Sequence, residues 1–446
     1  MGGLTLAQAG EQVQRAYAQP LQLTYHDAAI LADPADLGFH MNLDAMLAAA
    51  QDQDPTGSAP LRAFWRSLWR RVDRSAIHVD LIATINRDAL RTYLEAAIIP
   101  RYDQPPRAPL PQPGATGYQP GVPGWALDVD SAISLIETAL RSPLERVVAL
   151  PVIASDGGLP LPENLAIQLR QLTELSGFDG LVSLVMIDLQ TNRSVQYSQW
   201  DGATVDLPVA FSAASTMKIP IMVSVMRRTA EPTPPEVLQL FDEMIVYSRN
   251  PPSDSLMERI DPVSGPLLVT ADLQALGLQN SFIAGYFYLG APLLKLYETP
   301  ANQRTDIDLE PDIYNQTSPE EVAALLQAIY QCAEDNSGSL VETFPNEITQ
   351  SECRTMIDTL ARNKIGLLIE TGVPDGTTVA HKHGWFEEED GLLHAMSDVA
   401  LVYTPGGDYA LTIFMYHPDQ LVFDPANDLV TQLSRAVYNY FNTKTK

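Results

Sequence analysis

The sequence predicts a two-unit α+β chain: an N-terminal α/β unit, then a larger unit in which helices flank an antiparallel sheet. Three observations carry this. Within 165–446, strand-like runs lie at both ends with helical stretches between them, which suits an antiparallel sheet better than alternating β-α units. Charge is unevenly placed: residues 1–150 hold 12 Arg, no Lys and 16 acids, net −4, while the remainder holds 16 basic and 39 acidic residues, net −23. Finally, 446 residues at roughly 150 per domain make two or three domains. The expected division is 1–154, a linker over 155–164 that begins with SDGGLPL, and 165–446.

In the first unit, LQLTYHD (21–27) alternates like a strand and LDAMLAAAQ (43–51) like a helix. IHVDLIATI (77–85) reads as a strand, followed by a helix over 87–97. Residues 104–124 hold seven Pro and four Gly, so they exclude a helix or a central strand and read as a long loop or a linker. A helix is expected over 127–142 and a strand over 146–154. Arg62, Arg66, Arg70, Arg71 and Arg74 interleave with Phe64, Trp65, Leu68 and Trp69. That spacing gives an amphipathic helix with a solvated basic face, or alternatively a face for an anionic cell-wall polymer.

In the second unit, a helix over 165–176 precedes two strands, 180–192 and 193–200, joined at a Thr-Asn turn. An apolar helix follows over 215–228, a hairpin pairs 398–405 with 408–416, and a last helix runs over 425–441.

A net charge of −27 excludes bulk attraction to nucleic acid or anionic lipid as the main activity. No apolar run approaches the roughly 18 residues of a membrane-spanning helix, so no membrane span is expected. Cys332 and Cys353 have no zinc-ligand spacing. They read either as two buried thiols or as one disulfide between neighbouring helices, the latter suiting an exported protein. The opening MGGLTLAQAG has neither a basic n-region nor an apolar core, so no export signal is expected in this chain. An extracytoplasmic location would then require a signal or anchor replaced at the Met-Gly-Gly start.

The chemistry begins at FSAASTMKIPI. Ser215 and Lys218 form a Ser-x-x-Lys at a helix start, where positions i and i+3 share a face and the amine can reach the hydroxyl. The helix dipole and the Ser215 backbone N–H favour a developing oxyanion. Lys218 acts as a base only if burial beside another cation strips its proton. The plain alternative is a helix-capping serine with an exposed lysine. Ser248-Arg249-Asn250 in YSRNPPSD adds a second hydroxyl and an amide, and Lys382-His383-Gly384 in HKHGW adds a second lysine. In that order these are the parts of an acyl-transfer site: a proton relay, a holder for the substrate amide, and a positive charge for a substrate carboxylate. Gly384 lets the Trp385 N–H approach the oxyanion. On a strand, His381 and His383 face one side and Lys382 the other.

Over about 165–446 this set resembles the penicillin-recognising serine hydrolases, in particular the class A β-lactamases. The resemblance implies Ser215 as nucleophile, Lys218 as general base, Ser248 as proton shuttle, Asn250 as substrate-orienting amide and Lys382 as the carboxylate-recognising lysine. No metal or other cofactor is implied. The sequence departs from the family pattern at Arg249, in place of Asp, and at His383, in place of a hydroxyl residue. His383 can still donate a hydrogen bond and would make activity pH-sensitive. The segment between Lys218 and Ser248 is short for the family, so a more open cleft is expected. A β-lactamase also needs a deacylating carboxylate. YETPANQRT offers Glu298 with Asn302 four positions on, with Glu310 as second candidate; otherwise Glu298 is a solvated acid.

Residues 1–150 resemble the peptidoglycan-binding domain that precedes L,D-transpeptidases, on LGFHMNLDAMLAAA, the Pro-rich loop and PGVPGWALDVDSAISLIETAL. That implies cell-wall binding, or alternatively a spacer. The expected activity is a serine hydrolase that opens β-lactams through Ser215. The alternatives are a D-Ala-D-Ala carboxypeptidase acting on peptidoglycan stem peptides, favoured by Arg249 and His383, and a non-catalytic wall-binding protein.

Overall fold

The computed structural model describes residues 4–53, 78–388 and 390–443. The arginine and aromatic cluster at 62–74 lies outside them. Backbone contacts divide the chain into two units: Met1–Arg107 with Gly121–Gly158, and Ala108–Pro120 with Leu159–Thr445.

In the first unit, strand Leu21–Tyr25 pairs antiparallel with Ala28–Ala32 and parallel with Val147–Ala149. Helix Val129–Leu140 buries Ile133, Ile136 and Leu140 in a core with Leu21, Leu23, Leu90 and Leu94. Two expected strands are shorter than their apolar runs. Of the described residues 78–85 only Ala83–Ile85 is a strand, because its partner Phe39–Met41 ends where helix Leu43–Gln53 begins. The run over 146–154 divides into Val147–Ala149 and Val152–Ser155. Pro151 lacks the N–H a continuous ladder needs, and the second piece pairs instead with Gly124–Leu127.

The second unit is built on a six-stranded antiparallel sheet. Its strands are β1 (Leu181–Asp188), β2 (Ser194–Trp200), β3 (Ala203–Thr204), β4 (Thr378–Glu387), β5 (Leu393–Tyr403) and β6 (Tyr409–Tyr416). Their order is β3-β2-β1-β6-β5-β4, which leaves β4 at an edge. All eight residues of β1 are buried, since both faces of the sheet are covered. Val182, Leu184 and Met186 pack in the core shared by helices α1 (Pro162–Ser176) and α6 (Phe423–Phe441). Leu181, Val185 and Ile187 point the other way, into a core filled by α2 (Lys218–Met226), α4 (Pro319–Asp335) and α5 (Gln350–Ala361). Helix α3 (Asn250–Ile260) lies among this second group.

The Pro-rich stretch splits between the units. Its Leu110–Pro111/Tyr118–Gln119 hairpin belongs to the second, where the Gln168 side chain donates to the carbonyls of Ala115 and Gly117, 2.9 Å each. Cys332 of α4 and Cys353 of α5 are joined in a buried disulfide, the second of the two readings of this pair.

Candidate active site

The nucleophile candidate sits where a strand turns into a buried helix. Strand Phe211–Ser212 leads through Ala214, held at φ 46°, into a 3-10 turn over Ala214–Met217 that continues as α2. The Thr216 hydroxyl donates to the Ala213 carbonyl at 2.6 Å and fixes this turn. All nine residues of α2 are buried, as expected of a helix apolar on every side, so Lys218 is carried into the interior.

That burial sets the chemistry of Lys218. Its Nζ lies 2.7 Å from the Ser248 carbonyl oxygen, 3.0 Å from Asn250 Oδ1 and 3.4 Å from Ser248 Oγ. Burial pushes the amine down to about 7, against a smaller upward pull from Asp254. A neutral amine here spends two N–H groups on the carbonyl and the amide oxygen, and its lone pair is left toward Ser248 Oγ. The Phe287 ring centroid lies 5.6 Å from Nζ, and buried Asp254 accepts the Phe287 N–H at 2.7 Å.

Ser248 is the hub. Its Oγ lies 3.2 Å from Ser215 Oγ and 2.9 Å from Lys382 Nζ, so one hydroxyl touches the nucleophile candidate and both lysines. The backbone at Ser248 is left-handed, φ 54°, after a π-helical turn over Asp242–Val246. A non-glycine residue held this way is strained. Lys218 therefore reaches Ser215 through Ser248; the direct contact expected from helical spacing is not among the hydrogen bonds of the described residues.

Lys382 is fully buried on β4, its Nζ also donating to the His383 carbonyl at 3.0 Å. Burial, and then the charge of Lys218, push its ammonium well below the usual lysine range. When Lys218 is neutral the second cause vanishes and Lys382 keeps its proton more readily. Gly384 follows. A Cβ there would lie 3.1 Å from the Ser215 backbone nitrogen and 3.2 Å from the Ala213 carbonyl, so glycine lets the edge strand run this close to the nucleophile turn without crowding it. The Ser215 and Trp385 N–H groups are the candidate oxyanion donors.

Residues 230–441 match the β-lactamase enzyme family. The second unit is β-lactamase-like. The match includes Ser248, Asn250 and Lys382, begins after Ser215 and Lys218, and covers none of 1–158. No curated protein matches the chain in sequence. Among solved structures, PBP-A is 22% identical over 63% of this chain and 97% of that one, TM-score 0.44. An ancestral class A β-lactamase is 19% identical over 61% and 98%, TM-score 0.44. The TLA-1 extended-spectrum β-lactamase is 14% identical over 63% and 98%, TM-score 0.45.

In this β-lactamase-like unit the loop acids share no hydrogen bond with the hub among the described residues. Glu298 is exposed and, among the described residues, has no hydrogen-bond partner. Asn302 is spent on the loop itself: its amide donates to the Tyr297 carbonyl at 3.1 Å and Gln316 Oε1 at 2.9 Å, and its Oδ1 accepts the Thr299 N–H at 2.8 Å. Glu310 is also exposed. On the Lys218–Ser248 side, Tyr247, Arg249 and Asn250 are exposed, consistent with the open cleft expected from the short connection. The Arg249 guanidinium reaches Glu243 at 3.5 Å.

His383 departs from its expected behaviour. Burial, and then the charges of Lys382, His381 and Lys218, push its imidazole down to about 2, so it stays neutral near neutral pH. In the cleft, Lys218, pushed down to about 7, titrates near neutral pH instead. Sequence reasoning missed Asp254, Phe287, Asn363 and Asp398, which are single residues without a motif.

Proposed function

We propose that this chain is a penicillin-recognising serine hydrolase that forms an acyl-enzyme on Ser215. The observation that carries this reading is the Ser248 hydroxyl, shared within 3.4 Å by Ser215, Lys218 and Lys382. The Ser215 proton passes to Ser248 as Ser248 gives its own to the Lys218 lone pair. Ser215 Oγ then bonds to the carbonyl carbon of a β-lactam or an acyl-D-Ala-D-Ala peptide, with the oxyanion facing the Ser215 and Trp385 N–H groups. The C–N bond breaks, and the leaving nitrogen takes the proton back through Ser248. Water cleaves the ester and returns a proton to Ser215. Asn250 orients the substrate amide, and Lys382 with His383 faces its carboxylate.

Between the two activities of this kind, exposed Glu298 and a committed Asn302 favour a D-Ala-D-Ala peptidase that β-lactams acylate and leave only slowly. The Glu298/Asn302 spacing favours the second reading, a β-lactamase with turnover. Intact-mass spectrometry after mixing with benzylpenicillin decides: a lasting adduct on Ser215 supports the peptidase, and rapid release of hydrolysed product the β-lactamase. Absence of both an adduct and a hydrolysed product, with penicillin and with acyl-D-Ala-D-Ala peptide, overturns both and leaves a non-catalytic wall-binding protein. We place the reaction outside the cytoplasm, a reading the Cys332–Cys353 bond supports. The first unit would bind wall polymer or act as a spacer; sedimentation of the full chain with insoluble peptidoglycan separates the two.

A further inference from the structure

The face of β4 opposite Lys382 carries a chain of buried polar groups in which each donor and acceptor is forced. Asp398 of β5 faces His381 Nδ1 at 3.0 and 3.1 Å and accepts the backbone N–H groups of Ile369 and Val399, 3.1 Å each. His381 Nε2 lies 2.8 Å from the Asn363 carbonyl, which can only accept. Both ring nitrogens of His381 therefore carry protons, and the ring is an imidazolium paired with Asp398, with Glu370 at 3.9 Å. Burial opposes that charge, but Asp398 and the Asn363 carbonyl outweigh it and the imidazole is raised overall.

The next link fixes Asn363. Its side-chain nitrogen lies 3.1 Å from the His381 carbonyl; turning the amide over would set two oxygens face to face. The same nitrogen lies 3.4 Å from His383 Nδ1. Nδ1 must then accept, and the single proton of neutral His383 rests on Nε2. Among the described residues that Nε2 has no protein partner, and it is not one of the buried unpartnered atoms, so its N–H is not sealed from solvent. The Trp385 ring, stacked on His383 at 4.5 Å and 29°, holds the imidazole plane. The unpartnered, buried Asn363 Oδ1 is what this orientation leaves unsatisfied.

We propose that Asp398, His381 and Asn363 are positioning residues that lock His383 as an Nε2–H donor aimed at the carboxylate of a bound substrate. The proposal rests on the serine hydrolase reading above. It assigns His383 a specificity role: an anionic acceptor on the substrate is rewarded, and a group with its own N–H is rejected.

Two measurements on the full chain test it. The first is nitrogen-15 NMR of histidine-labelled protein, which reads the tautomer without any substitution. The expected result is a proton on Nε2 of His383 and on both nitrogens of His381; a proton on Nδ1 of His383 overturns the proposal. The second compares acylation of Ser215 by benzylpenicillin and by its methyl ester. Asn363→Leu should cut the preference for the free carboxylate about tenfold or more, the scale of a hydrogen bond to a charged group. The double variant Asn363→Leu, His383→Thr should regain it, since a hydroxyl rotates to donate without help from Asn363. An unchanged preference in Asn363→Leu, or no recovery in the double variant, overturns the proposal. Should benzylpenicillin neither acylate the unaltered chain nor be hydrolysed by it, the hydrolase reading fails and the substrate role fails with it, and the NMR result alone then decides the hydrogen-bond chain.

Discussion

Ser215, Lys218 and Ser248 sit among groups that each hold the next in place, whereas Glu298, farther along the chain, stands exposed with no hydrogen-bond partner among the described residues. In the proposed reaction the two regions would serve successive halves. Making the acyl-enzyme needs a serine stripped of its proton inside the protein; breaking it needs an acid that fixes one water. The first requirement is met by packing, since a fully buried α2 drags Lys218 out of water and lowers its proton affinity. The second is not met by packing at all, because the loop spends Asn302 on its own backbone. Residues at a family-like spacing are thus assembled in one region and unassembled in the other.

The contrast can be broken or sharpened by substitution. The largest effect is expected from Ser215→Ala, which should remove every trace of covalent penicillin adduct in mass spectra; an adduct elsewhere on the chain would dissolve the assembled half. Lys218→Met should slow acylation by about 10²–10⁴-fold in stopped-flow measurements, the range for a lost general base. Next comes pH. Only the free amine of Lys218 accepts the proton, so the acylation rate should fall about tenfold per unit below a midpoint near 7 and level off above it. A flat profile across that range would assign the base elsewhere. The smallest effect belongs to the loop: Glu298→Gln should change the release rate of the acyl group by less than about twofold, and a hundredfold slowing would show that the loop does assemble on the acyl-enzyme.

Much of the fold was legible because its pattern is local. The β5–β6 hairpin follows from its turn and its apolar runs, and α6 from helical periodicity. The limits of a strand were less legible, because they are set by the partner: Ala83–Ile85 stops where Phe39–Met41 runs out, and Pro151 moves the chain to a new neighbour. The site divides in the same way. Ser215, Lys218, Ser248, Asn250, Lys382 and Gly384 carry motif spacing, and the structure brings them together. Asn363 and Asp398 carry none. Their roles arise from strand register and from a loop packed against the far face of β4, neither of which leaves a mark at the level of one residue type. His381 and His383 look equivalent in sequence, yet the first is pulled up by the Asp398 carboxylate it faces, while burial, and then the nearby positive charges, push the second down.

The left-handed backbone at Ser248 sets two selections against each other. Holding a serine there costs on the order of 1 kcal/mol that glycine would not incur. A Ser248→Gly chain should therefore be the sturdier fold and the poorer catalyst, so a screen for heat resistance would drift toward glycine at the same position where a screen for penicillin reactivity would restore serine.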